Sequence, residues 1–309
     1  GIALETGKTA INSTFIDNYW DILPVERLQP TDDIILGGKA QDPNFGRAEE
    51  KAVKAIQVHG MNIKGKEKNP QIDESYILLG KARYFDNRFI PAQEAFNYIL
   101  FKYPASSNIN LAKIWRAKTN LRLENEGLAI KNLKELIESN KLSDEDNVAA
   151  SSALAQAYIT IKALDSAIIQ LQRASQLTKD NHELGRLRFI EGQLYSSLGI
   201  KDSSNLAFDQ VIALNRKTPR VYMISAHLEK IKNFDFENDN KLILETLLEN
   251  LESNRENRPF LDKIYHQIAN YQIKNNKDSL AIAYYNKSLR TDSKDAHLTA
   301  LNYRILADL

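Results

Sequence analysis

The chain contains no cysteine, no long apolar run and almost no net charge. The absence of cysteine excludes disulfides, thiolate metal sites and a cysteine nucleophile. No apolar run approaches the roughly 20 residues that a membrane-spanning helix requires. The 41 Lys and Arg residues nearly balance the 40 Asp and Glu residues, which leaves a net charge of +1. Because this balance gives no overall attraction to polyanions, we expect no nucleic-acid partner.

Motifs for catalysis and cofactor binding are also lacking. The five histidines are scattered, and none has a histidine partner one helical turn away, so we expect no metal site. Gly37-Gly38-Lys39 does not complete a phosphate-binding loop, because Ala40 replaces the hydroxyl residue that would bind magnesium. No GxSxG nucleophile elbow is present. We therefore expect no catalytic activity and no cofactor.

What the chain does contain is a recurring pattern of small and large apolar residues. One small residue recurs at spacings of 37, 38, 37 and 77 residues, at Gly80, Ala117, Ala155, Gly192 and Ala269. A second small residue and a large one follow each of them, as Ala92 with Phe96, Ala129 with Leu133, Ala167 with Leu171, Ser204 with Phe208, and Ala281 with Tyr285. Small residues that face each other let two helices approach to roughly 8–10 Å. The pattern therefore predicts helix pairs, and in the long gap Ile243 and Leu247 are the expected second-helix residues.

The spacing of Leu79-Gly80, Ala92, Phe96 and Pro104 resembles that of the tetratricopeptide repeat. The resemblance extends from about residue 73 to residue 309. It implies an all-α, superhelical solenoid of about six helix pairs over residues 48–309. The last unit is expected to be truncated, because Ala296 to Leu309 has no second helix, and the chain is expected to be a piece of a longer protein.

Residues 1–47 lack the repeat pattern and are predicted to be an irregular N-terminal segment. Within it we expect a short helix over Ile11 to Asp21, and we expect Ala48 to His59 to be a lone capping helix. The densest apolar stretch outside the repeats is Tyr19, Trp20, Ile22 and Leu23. Such a stretch can pack on the first repeats or bind a partner, and we favour packing, with Trp20 buried.

Residues 17–28, DNYWDILPVERL, lie just ahead of the tetratricopeptide units and carry a second resemblance. This stretch is similar to the SprE/PorW family, and so is the segment from Ser75 to Pro104. Members are tetratricopeptide lipoproteins of the type IX secretion and gliding machinery of Bacteroidetes. The resemblance implies a periplasmic protein at the inner face of the outer membrane. It also implies contact with the translocon and ring components, and a lipid anchor that lies outside these residues.

In tetratricopeptide proteins the first helix of each pair lines the concave face. The positions that match it here form a mixed apolar and basic groove, namely Ile77, Lys81, Tyr84, Phe85, Ile114, Lys118, Leu121, Arg122, Arg186 and Phe189. Further polar positions of the same face include Ser152, Gln156 and Gln193. Such a groove suits an extended or helical protein segment. Alternatively, residues 1–47 fold back and cover it.

Two Asp-Ser-apolar sequences match the O-glycosylation pattern that the family resemblance suggests, at Ser166 and Ser279. Both also open a second helix, where Asp and Ser serve as caps. We favour capping at both positions.

The function that fits these observations is a non-catalytic scaffold in type IX secretion and gliding. One alternative is a generic tetratricopeptide adaptor unrelated to secretion. Another is the docking arm of an enzyme whose catalytic part lies outside these residues.

Overall fold

A computed structural model describes residues 1–27, 40–63, 66–69, 71–139, 141–235 and 240–309. The glycine pair before Lys39 lies outside the described residues, as does Leu28 of the N-terminal motif. The described chain is all-α apart from one short hairpin, in which β1 (Asn62–Ile63) pairs antiparallel with β2 (Lys66–Glu67). No helix in these described ranges is long and apolar enough to cross a membrane.

Fifteen α-helices are formed by the described residues. In chain order they are α1 (Ile2–Thr14), α2 (Pro43–His59), α3 (Ile72–Phe85), α4 (Phe89–Lys102), α5 (Ile109–Arg122), α6 (Glu126–Glu138), α7 (Asp144–Thr160), α8 (Leu164–Leu177), α9 (Asn181–Ser197), α10 (Lys201–Leu214), α11 (Arg220–Asn233), α12 (Lys241–Ser253), α13 (Leu261–Lys274), α14 (Asp278–Leu289) and α15 (Ala296–Asp308). The helices of the predicted units all form, so the predicted all-α repeat fold is confirmed.

The small residues of the repeat pattern lie where helices contact. A β-carbon added to Gly80 on α3 would overlap the ring of Phe96 on α4, so only glycine allows this approach. In the next pair, Ala117, Ala129 and Leu133 are fully buried in one core cluster. These contacts are the packing that the small and large residues predict.

Each short turn between paired helices contains one residue in the left-handed region. These residues are Asn87, Glu124, Lys162, Gly199 and Asn276, with φ between 57° and 75°. After each of them, the next backbone N–H donates to the carbonyl five residues earlier at 2.9 Å, as Arg88 does to Arg83. This bond ends the first helix and satisfies one of its terminal carbonyls. Because Glu and Lys seldom adopt this conformation, the sequence does not show the turn by itself.

The N-terminal segment differs from its prediction. The helix expected over Ile11 to Asp21 is wrong, since α1 ends at Thr14 and the chain is extended from Phe15. A β-carbon added to Gly7 on α1 would overlap the ring of Phe45 on α2. Thus α2 is not a lone helix, because α1 is its partner across the intervening residues 15–42.

The helix α2 begins five residues before the predicted start, at Pro43. Asp42 caps it by accepting from the backbone N–H groups of Asn44 and Phe45. Buried Asp86, in the turn after α3, accepts from the backbone N–H groups of Gln41 and Asp42. Because Asp86 also accepts from Arg88 at 2.7 Å, the chain entering α2 is fixed to the α3–α4 turn.

The contacts divide the described chain into two compact units, Gly1–Leu194 and Tyr195–Leu309. In the second unit, α12 buries Leu244, Leu248 and Leu251. The prediction of Ile243 as a core residue is wrong, since Ile243 is 67% exposed; the apolar stripe is displaced by one residue.

Hydrogen bonds join the last three helices of the second unit. Ser288 on α14 donates to the carbonyl of Asp262 on α13 and accepts from Asn302 on α15. His266 on α13 contacts Asn302 through Nδ1 at 2.6 Å. Burial lowers the pKa of His266, although the hydrogen bond to Asn302 opposes this shift. The neutral ring therefore belongs to this buried network.

Candidate functional site

The groove of the first unit holds an extended stretch of the chain itself. Leu23 is fully buried, and its backbone N–H donates to Oε1 of Gln193 at 2.9 Å. Nε2 of Gln193 in turn donates to the carbonyl of Asp21 at 2.8 Å. The backbone N–H of Val25 donates to Oε1 of Gln156 at 2.7 Å. Two glutamines on the concave helices thus bind the main chain of the segment.

Arg186 on α9 is the charged anchor of this segment. Its guanidinium donates to both carboxylate oxygens of Asp17, at 2.8 and 3.0 Å, and to the carbonyl of Pro24 at 2.6 Å. Arg27 also donates to Asp17, at 2.7 Å. Burial alone would raise the pKa of Asp17, but the hydrogen bonds from Arg186 and Arg27 outweigh it and lower the pKa. Asp17 is therefore held as a carboxylate.

Glu26 fixes the other end of the stretch. Its carboxylate accepts from Nζ of Lys118 on α5 and from the hydroxyl of Tyr84 on α3, each at 3.2 Å. Burial raises the pKa of Tyr84 well above its usual value, and the charge of Glu26 raises it further. The two anchors lie on different helices, so the segment crosses several repeats of this unit.

The N-terminal aromatic residues differ in burial. Tyr19 contacts Phe189 edge-on, with the ring centroids 5.4 Å apart. Ile22 is partly buried, but Trp20 is 37% exposed, so its predicted burial in a core is wrong. Residues 18–21 form a turn, in which the backbone N–H of Asp21 donates to the carbonyl of Asn18 at 3.3 Å, and Leu23 enters the groove after it.

The predicted groove residues fall into three groups according to where their side chains lie. Ile77, Phe85 and Ile114 belong to the helix cores and are not exposed to the groove. Lys81 lies over the ring of Trp115 at 5.0 Å, and burial lowers its pKa. The others contact the segment or line the adjoining cavity, and these are Tyr84, Lys118, Leu121, Arg122, Arg186 and Phe189. The structure therefore brings six of the ten together.

Two residues that sequence reasoning did not single out complete the site, Asp17 and Glu26 of the N-terminal motif. The signal for them was charge complementarity, since these two acidic residues match Lys118 and Arg186. Gln156 and Gln193, predicted as polar positions of the concave face, do bind the segment.

A cavity of about 670 Å³ adjoins the segment. Its walls come from Pro24, Val25 and Glu26 and from the helices α3, α5, α7, α8 and α9. In the described ranges, no group of three His, Cys, Asp or Glu side chains could hold a metal ion.

The two Asp-Ser-apolar sequences lie in the first turns of α8 and α14. Neither helix has a side-chain cap hydrogen bond, because the cap positions are Ala163 and Lys277. Capping by Asp or Ser is therefore wrong at both sites. Ser166 is partly buried and Ser279 is exposed, and their glycosylation stays a prediction.

No family model matches the chain. No curated protein matches its sequence either. Solved structures do match. The C-terminal part of a tetratricopeptide-repeat protein from Cytophaga hutchinsonii aligns with a TM-score of 0.59 and 15% identity, over 83% of this chain and 94% of that one.

Two further structures align less well. A tetratricopeptide-repeat protein from Parabacteroides merdae has a TM-score of 0.42 and 14% identity, over 75% of this chain and 99% of that one. One from Thermus thermophilus has a TM-score of 0.38 and 18% identity, over 76% and 99%. The likeness to the Cytophaga protein, together with the helix pairs described above, shows that this chain has the tetratricopeptide-repeat fold.

Proposed function

We propose that this chain is a non-catalytic adaptor whose repeats bind extended protein segments. The observation that carries the proposal is the groove of the first unit, where Gln156, Gln193 and Arg186 bind main-chain groups of residues 21–25. Side chains that bind backbone groups hold an extended chain in place, while neighbouring pockets select its side chains.

We further propose that the adaptor acts in type IX secretion and gliding, in contact with translocon and ring components. The resemblance of residues 17–28 to the SprE/PorW family supports this proposal. The resembling stretch is also the stretch that lies in the groove, where Asp17 and Glu26 are ion-paired with the repeats.

Deletion of the gene in a Bacteroidetes host that encodes this chain tests the proposed pathway. We expect loss of secreted cargo from the medium and loss of spreading on agar, both restored by the wild-type gene. Complementation with Asp17→Arg should fail, because the new charge would face Arg186. Normal secretion and spreading in the deletion strain would contradict a secretion role and favour a generic adaptor.

The proposed location is the periplasmic face of the outer membrane, through a lipid anchor outside these residues. We expect the full-length protein in the outer-membrane fraction and labelled by an alkyne fatty acid. Recovery of unlabelled protein from the soluble fraction alone would contradict this location.

A further inference from the structure

The cavity beside the groove segment continues an interface that already binds an extended chain. Pro24, Val25 and Glu26 form one wall, and Val148, Ala149 and Leu187 are among the apolar residues of the others. A second chain in this space would therefore lie alongside the segment and contact the same helices.

Charge is distributed unevenly around this cavity. Its basic lining residues are Lys118, Arg122, Lys179 and Arg186, and its acidic ones are Glu26, Asp144, Glu145, Asp180 and Glu183. Two of the basic residues are already ion-paired with carboxylates of the segment, Lys118 with Glu26 and Arg186 with Asp17. Arg122 lies over the ring of Phe89.

The remaining carboxylates of the lining are not neutralised in this way. Across the part of the chain that the structure describes, Asp144, Glu145, Asp180 and Glu183 form no ion pair. Asp144 and Glu145 are also exposed. Lys179 is an exposed cation of the same lining, but the four carboxylates still leave the rim with an excess of negative charge, which is complementary to a basic side chain.

One polar group of the cavity wall is available beside an apolar surface. On α7, Gln156 binds the segment through Oε1, and no described residue accepts from its Nε2. Leu121 and Ala149 line the cavity and are only partly buried, so they present apolar surface to it.

We propose that this cavity binds an extended segment of a partner protein that carries an apolar side chain next to a Lys or Arg. The apolar side chain lies against Leu121 and Ala149, and a main-chain carbonyl accepts from Nε2 of Gln156. The basic side chain reaches Asp144 and Glu145. This inference rests on the adaptor function proposed above but not on the secretion pathway.

A phage-displayed library of random peptides, panned on the purified chain, tests this specificity. We expect the selected peptides to share an apolar residue adjacent to Lys or Arg. For a fluorescein-labelled selected peptide, Glu145→Lys should weaken binding about tenfold, because it replaces an attraction by a repulsion. Asp202→Lys is the matched control, since Asp202 is an exposed acidic residue in the first turn of α10 that does not line the cavity.

Acidic consensus peptides, no selected peptides, or equal binding by Glu145→Lys and Asp202→Lys would overturn the proposal. A dimer that Glu145→Lys dissociates would also overturn it, since the occupant would then be a second copy of the chain.

The two proposals fail separately. Selected basic peptides together with normal secretion in the deletion strain would refute the pathway and support the cavity's specificity. Defective secretion together with acidic consensus peptides would support the pathway and refute the cavity's specificity.

Discussion

The pairs α1–α2 and α3–α4 use the same contact but have very different connections. In α1–α2, Gly7 lies against Phe45, and in α3–α4, Gly80 lies against Phe96. Residues 86–88 join the second pair, whereas residues 15–42 join the first. The comparison teaches that the packing contact does not require a short turn. The long connection supplies the stretch that occupies the groove.

The comparison is tested most strongly by removing both large residues in turn. Phe96→Ala and Phe45→Ala should each lower the free energy of unfolding by about 3–5 kcal/mol, because each leaves a cavity at a close helix contact. Urea denaturation followed by circular dichroism measures the loss. Phe101→Ala on α4 is the control, since Phe101 is 79% exposed. A cost for Phe45→Ala as small as that control would show that α1 and α2 are not a true pair.

A second test distinguishes the residues of the long connection. Leu23→Ala should cost about 2–5 kcal/mol of local stability, because Leu23 is fully buried. Trp20→Ala should cost only about 1 kcal/mol, since part of that ring already contacts water. Hydrogen exchange at the amide of Val25 measures both. Equal effects of the two variants would contradict the assignment of Leu23, rather than Trp20, as the buried anchor of the segment.

Acid should weaken the long connection but not the short turn. The pKa of Asp17 is lowered from its ordinary 3.8 in the folded state. The stabilisation that ionised Asp17 contributes is therefore complete above about pH 4 and is lost as the pH falls through the lowered pKa. In a Trp115→Phe background, the fluorescence of Trp20 should change over that acidic range. Asp17→Asn should abolish this step, and an identical step in that variant would assign it to another group.

The smallest expected effect concerns the short turns. Lys162 has φ of 60° in the turn between α7 and α8, a conformation that glycine adopts without cost. Lys162→Gly should raise the free energy of unfolding by about 0.5–1 kcal/mol. Thermal unfolding of this variant measures the gain, and Lys179→Gly is an exposed control outside this turn. Destabilisation by Lys162→Gly would contradict the left-handed turn.

Most of the fold was predictable because the repeat contacts are local in sequence. Gly80, Ala92 and Phe96 lie within one helical hairpin, so their spacing predicts both helices. Gly7 and Phe45 make the same contact, but the residues between them hide the spacing. The helix α1 was missed for that reason.

The site was predictable only in part. Repeat position predicted Arg186 and Lys118 because concave positions follow from the helix register. Position alone could not show that Ile77 and Ile114 turn into the core. Nor could aromatic content show that Leu23, rather than Trp20, is the buried anchor, because that depends on the turn at residues 18–21, which leaves Trp20 partly exposed.

The central claim is that the groove of the first unit binds residues 17–27 of its own chain. Residue-resolved hydrogen exchange at the amides of Leu23 and Val25 tests it most directly, because Gln193 and Gln156 accept from these two groups. The account predicts slow exchange at both amides, with Gln193→Ala accelerating Leu23 and Gln156→Ala accelerating Val25. Exchange at both amides as fast as in an unstructured peptide would contradict it.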